Sequence, residues 1–94
     1  MKKSGIELIA EERREQLEKH GRTIDYDLKN NQFGQLSLAA EYLITEDPHC
    51  ELQQPHGWSE TLWKKMKSKT ELERLIIAGA LIAAEIDRLQ ASGE

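Results

Sequence analysis

The residues best suited to chemistry lie between His56 and Lys69, where Trp58 and Trp63 stand beside Lys64, Lys65, Lys67 and Lys69, with Glu60 as the one acid among them. Aromatic faces stack on a nucleobase and ammonium groups hold its phosphates, so this combination suits a small nucleotide-like anion. Trp58 precedes Ser59, a helix cap, in a glycine-containing turn and is the better candidate for ligand contact. Trp63 shares a helical face with Met66, and the plain alternative is that it belongs to the core while the lysines form a solubilising surface. Arg22, Lys19 and His20 lie at the end of an earlier helix and join this surface if the helices pack antiparallel. The ligand-binding set expected from sequence is therefore Trp58, Trp63, Lys64, Lys65, Arg22 and His56.

A second constellation is acidic. Glu7, Glu11 and Glu15 recur at four-residue spacing, a row of like charges that mildly destabilises a helix and is most simply a solvated face. Glu11, Glu12 and Glu15 together spell EExxE, which resembles the half-site by which MazG-like nucleotide pyrophosphohydrolases hold magnesium in an all-α bundle. Such a site needs further carboxylates from a second helix, typically ExxD, to bridge metal ions to phosphate oxygens. No ExxD occurs in this sequence, so magnesium and these three glutamates belong to an alternative reading only. His49, Cys50 and His56 offer soft ligands in one loop, but zinc takes four ligands, or three and a water, and their spacing matches no finger or ribbon. Cys50 has no base at a diagnostic position, and as the single cysteine it cannot form an internal disulfide. The expectation is therefore no catalytic residue, no resident metal and no cofactor.

The elements that must position these groups are helical. Thr70 with Glu73 forms a capping box opening a helix over about 70–91, in which Leu72, Leu75, Ile76, Gly79, Ile82, Ala83, Ile86 and Leu89 recur at three- and four-residue steps. Ile77, Ala80, Leu81 and Ala84 widen its apolar surface until it is apolar nearly all round, which predicts burial at the centre of the fold. Gly79 is a poor helix former, and its presence predicts close approach of another backbone. Ser4 and Glu7 open a first helix over about 5–20, ended by Gly21. GRTIDYDLKNN, residues 21–31, has no helical period and reads as a connection. Phe33, Leu36, Ala39, Ala40, Leu43 and Ile44 give the next helix at about 32–45, with Asn31 or Asp27 as cap. Residues 45–58 form a long non-periodic loop, and Ser59 caps a short helix over about 60–67.

Ninety-four residues suit one domain, 1–94, with a modest core. A hydrophobic share of 38% beside 32% charged residues excludes a disordered or membrane class, and a net charge of −4 argues against general nucleic-acid binding. Glu85 and Asp87 interrupt the longest apolar run short of the ~20 residues that span a bilayer. MKKSG opens directly into an amphipathic helix without a long apolar signal core, so a cytoplasmic location is expected.

Several segments together resemble a family of small helical proteins encoded by bacteriophages and prophages. They are Ile9-Ala10-Glu11-Glu12-Arg13 with Gln16 and Gly21, Leu38-Ala39-Ala40 with Tyr42, Gly57-Trp58 with Trp63-Lys64, and Ala78-Gly79-Ala80-Leu81-Ile82 with Ala84-Glu85-Ile86-Asp87-Arg88. The resemblance implies a phage setting within a host bacterium and no defined activity. By analogy, small phage proteins of this kind act against host defence, some as oligomeric sponges for nucleotide signals. The segment TEDPHCELQQPHGW departs from the shorter, proline-tryptophan form expected in relatives. The expectations are an all-α bundle of three main helices and one short helix, the C-terminal helix central, forming a homo-oligomer that captures a nucleotide-like ligand without turnover. The alternatives are the magnesium-dependent pyrophosphohydrolase and an inhibitor that binds a host protein by a helix face.

Overall fold

A computed structural model describes residues 2–45 and 54–93, and every described element is helical. His49 and Cys50, and most of the 45–58 loop, lie outside the described residues. Five helices follow one another: α1 (Gly5–Lys19), α2 (Ile24–Asn30), α3 (Gln35–Ile44), α4 (Glu60–Lys67) and α5 (Glu71–Ala91).

Both capping boxes form. Ser4 and Thr70 accept from the backbone N–H groups of Glu7 and Glu73, whose carboxylates reach back to the capping residues. Gly21 takes the left-handed conformation after α1, φ +62°, and the Arg22 N–H returns to the Gln16 carbonyl at 3.0 Å. That bond sets Arg22 beside the end of α1.

Two expectations are corrected at α2 and α3. Residues read as a connection contain a two-turn helix, because the Thr23 hydroxyl accepts from the Tyr26 N–H at 3.1 Å while Asp25 and Asp27 complement the helix N-terminus. Seven residues are too few to display a period. The following helix starts at Gln35, three residues later than expected, because Gly34 turns left-handed with φ +80°. Phe33 falls outside it and is exposed. The Gln35 side chain fixes this corner: its Oε1 accepts from the Phe33 N–H at 2.7 Å, and its Nε2 donates to the carbonyls of Asn30 and His56.

α5 packs most extensively on α3, then on α1 and α2, and so is the central helix, as expected. It runs antiparallel to α3: Arg74 Nε donates to the Leu43 carbonyl near one end, and the Ser37 hydroxyl donates to Glu85 near the other. Leu36, Ala39, Ala40 and Leu43 of α3 fill the core with Ile77, Ala78, Leu81 and Ala84 of α5, and Trp63 of α4 closes it. The small side chains let the two helices approach closely.

The expectation that α5 is buried all round is overturned on one face. Leu72, Leu75, Ile82 and Ile86 stand 47–63% exposed. The approach at Gly79 is made by a side chain rather than a backbone: a Cβ there would lie 2.5 Å from Ile9 Cδ1 of α1. Among the described residues, no helix is long and apolar enough to cross a membrane.

Candidate functional site

α1, α4 and α5 leave a cleft of about 460 Å³ between them, within the range of ligand sites. Its floor is apolar, from Leu62 and Met66 of α4 and Ile76 and Ile77 of α5. Glu12, Glu15 and Gln16 line it from α1, His20 and Arg22 from the turn after α1, Lys65 and Lys69 from α4 and its C-terminal turn, and Glu73 from the first turn of α5. Charges of both signs thus ring an oily base, with Glu12 and Glu15 beside His20 and Arg22, and Lys65 and Lys69 beside Glu73.

The two α4-side lysines are available. Among the described residues neither Lys65 nor Lys69 forms an ion pair, whereas Lys64 pairs with Glu60 at 3.0 Å and Lys67 donates to the Tyr42 carbonyl at 2.8 Å. On the opposite wall, burial raises the Glu12 carboxyl above its ordinary range, and the neighbouring Glu15 raises it further. Gln16 Nε2 donates weakly to Glu12 Oε2 at 3.5 Å, and Gln16 Oε1 is buried with no hydrogen-bond partner among the described residues. Burial also holds the Arg22 guanidinium below its usual range.

Of the six residues expected to bind ligand, Lys65 and Arg22 line this cleft and the other four do not. Trp63 is 3% exposed, its ring between those of Tyr42 and Trp58, so it is a core residue. Trp58 is half-buried. Its indole N–H donates to Asn31 Oδ1 at 2.7 Å, its ring meets Trp63 edge-on, and the Arg22 guanidinium lies 5.2 Å from its centroid. Trp58 thus supports the cleft from behind by holding Arg22. Lys64 is exposed, pairs with Glu60 and lies outside the cleft lining, and His56 is exposed in a turn where its carbonyl accepts from Gln35.

The three glutamates of EExxE do not converge either. Glu12 and Glu15 enter the cleft, but Glu11 projects elsewhere on α1 and pairs with Lys3, as adjacent helical positions must diverge. No group of three metal-ligating side chains comes together among the described residues.

Sequence reasoning missed a set of buried polar side chains. Arg13, Gln16, Asp27, Asn31, Gln35 and Glu85 are all buried. Arg13 donates to the Arg22 carbonyl and to Asp87, both at 3.3 Å, and Asp27 Oδ1 accepts from Asn31 at 2.7 Å. Among the described residues Asp27 Oδ2 and Arg13 Nε have no hydrogen-bond partner, and burial raises the Asp27 carboxyl. One signal was present: Arg13 interrupts the apolar steps of the first helix at a core-facing position. For Asp27 and Asn31, drawn from an apparent connection, there was none.

Comparison with known protein families, with characterised proteins and with solved structures finds no match, so the case for function rests on the cleft.

Proposed function

We propose that the protein binds a small anionic, nucleotide-like ligand in the α1–α4–α5 cleft and holds it intact, as an accessory protein of phage type working in the bacterial cytoplasm. The observation that carries this is the pair of lysines without ion-pair partners among the described residues, Lys65 and Lys69, set with Arg22 around an apolar floor of Met66, Ile76 and Ile77. Cations at the rim suit phosphate, and flat apolar surface suits a base. Incubating the protein with a panel of linear and cyclic nucleotides, then denaturing it and separating what was retained, tests this. Recovery of intact nucleotide supports capture, and loss of retention in Lys65→Ala with Lys69→Ala locates it. A protein that retains none of the panel refutes the proposal.

The pyrophosphohydrolase remains a second reading because Glu12 and Glu15 share the cleft with those cations. Hydrolysis of a nucleoside triphosphate with magnesium or manganese, lost in Glu12→Gln, would support it; a wild-type protein without turnover removes it. A homo-oligomer, or a docked host protein, is favoured by the exposed Leu72, Leu75, Ile82 and Ile86, and sedimentation of the purified chain separates the two.

A further inference from the structure

A groove of about 480 Å³ runs along another flank of α1 and shares no lining residue with the cleft. Ile9, Ala10 and Leu17 of α1 and Ala83 of α5 make it apolar, and Arg14 stands at its edge. The apolar surface continues on α5. Gly79, Ile82 and Ile86 follow one another at three- and four-residue steps on one face, and Gly79 meets Ile9, so the half-exposed Ile82 and Ile86 extend the groove wall. Ile6, in the first turn of α1, also lines the groove yet is 83% exposed. A large projecting side chain thus lies beside a depression made by small ones, the shape a surface needs to meet its own copy.

The charges along the outer edge of α1 select that copy and its direction. Glu7, Arg14 and Glu18 lie in one row, because steps of seven and four residues return to nearly the same side of a helix, and Lys3 stands just before the Ser4 cap. From Lys3 onward the signs alternate. Laid antiparallel on itself with the crossing at Ala10, this row sets Arg14 against Glu7 of the partner subunit and Glu18 against Lys3 of the partner subunit, each twice by symmetry. Laid parallel, it sets every charge against its like, which repels. Among the described residues Arg14 has no ion pair, and the Glu7 carboxylate makes only the capping bond to the Ser4 N–H at 3.4 Å. Lys3 is held by Glu11 of its own chain, so the Arg14–Glu7 pair fixes the register. We propose that this face of α1 and α5 is a two-fold interface with a second copy of the chain, in which the α1 helices cross antiparallel near Ala10, Ile6 of each copy enters the other's groove, and Arg14 pairs with Glu7 of the partner subunit. This rests on the homo-oligomer reading and assigns it one surface, separate from the cleft.

Sedimentation equilibrium of the full chain over a range of concentrations at low salt tests it. The wild type should form a reversible dimer. Ile6→Glu should abolish the dimer yet leave the helices intact by circular dichroism, since Ile6 is exposed and an acid suits the first turn of a helix. Arg14→Glu should weaken the dimer roughly tenfold or more, and adding Glu7→Arg should restore much of the loss. Because Glu7 also caps α1, a second measurement avoids it: Ala10→Cys in a Cys50→Ser background should cross-link the dimer through a short thiol-reactive linker. A chain that stays monomeric at submillimolar concentration overturns the interface and leaves the groove to a different protein, while ligand capture in the cleft stands. A dimer unmoved by Ile6→Glu and Arg14→Glu but broken by Leu75→Glu also overturns it, because the contact then lies at the other end of α5.

Discussion

Replacing Gly79 with alanine sets two effects of similar size against each other. Alanine is the better helix former by roughly 1 kcal/mol in a helix interior, so an open site on α5 would gain that much. Here the new Cβ would meet Ile9 Cδ1 at 2.5 Å and Cγ1 at 2.8 Å. The terminal methyl can swing aside, but Cγ1 sits only two bonds from the α1 Cα, so relief requires a rotamer change or a shift of α1. Overpacking of this kind costs about 1–3 kcal/mol, which leaves a net loss of about 1 kcal/mol, or a fall of roughly 4–8 °C in melting temperature for a domain of this size. Ile9→Ala removes both clashing atoms. In that background the same Gly79→Ala change should stabilise by about 1 kcal/mol, giving a coupling of about 2 kcal/mol between the sites. Thermal and urea unfolding followed by circular dichroism on the four proteins measures it. The same effect of Gly79→Ala in both backgrounds would refute the contact as the reason for glycine at this position.

Three further outcomes follow from the same contacts. Asp27 has its carboxyl raised by burial, so its contribution to stability is fully present below the ordinary carboxylate range and is lost as pH rises through the raised value. The melting temperature of Asp27→Asn relative to wild type should therefore climb between acid and neutral pH; a constant offset would contradict it. Thr70→Ala should cost about 1 kcal/mol by removing the cap of α5, and it should also reduce the lowering of the Glu73 carboxyl by the share that the Thr70 hydroxyl supplies, leaving that of the backbone N–H, read by titration of that side chain by NMR. Trp58→Phe keeps an aromatic ring over Trp63 but leaves Asn31 Oδ1 without its indole donor, and should cost about 1–2 kcal/mol in chemical denaturation.

Much of the scaffold was legible because it rests on local signals. The two capping boxes begin α1 and α5 where Ser4-Glu7 and Thr70-Glu73 stand, and the alternation of large and small apolar residues in Leu36–Leu43 announces a helix that can lie close against α5. α2 was not legible, since a seven-residue helix held by Thr23 and a buried Asp27 has no room for an amphipathic period. The exposed stripe on α5 was hidden for the opposite reason: apolar spacing reports that a face avoids water but not which neighbour covers it. At the site, the sequence grouped residues by proximity in the chain. Trp58 and Trp63 lie near Lys65 in sequence, yet both rings turn toward the core, while Glu12, Gln16, Lys65 and Lys69 are brought together by tertiary packing of α1 against α4 and α5. No spacing rule spans a gap of that length.

The most direct test of ligand capture in the cleft is to titrate the panel of linear and cyclic nucleotides into isotopically labelled protein and follow every backbone amide by NMR. Binding in the cleft predicts saturable shifts concentrated at Glu12, Gln16, Arg22, Lys65, Met66, Lys69 and Ile76, weakening as salt is raised because exposed phosphate–lysine attraction is screened. Saturable shifts confined instead to the exposed face around Leu75, Ile82 and Ile86, or a spectrum unchanged at millimolar nucleotide, would contradict it.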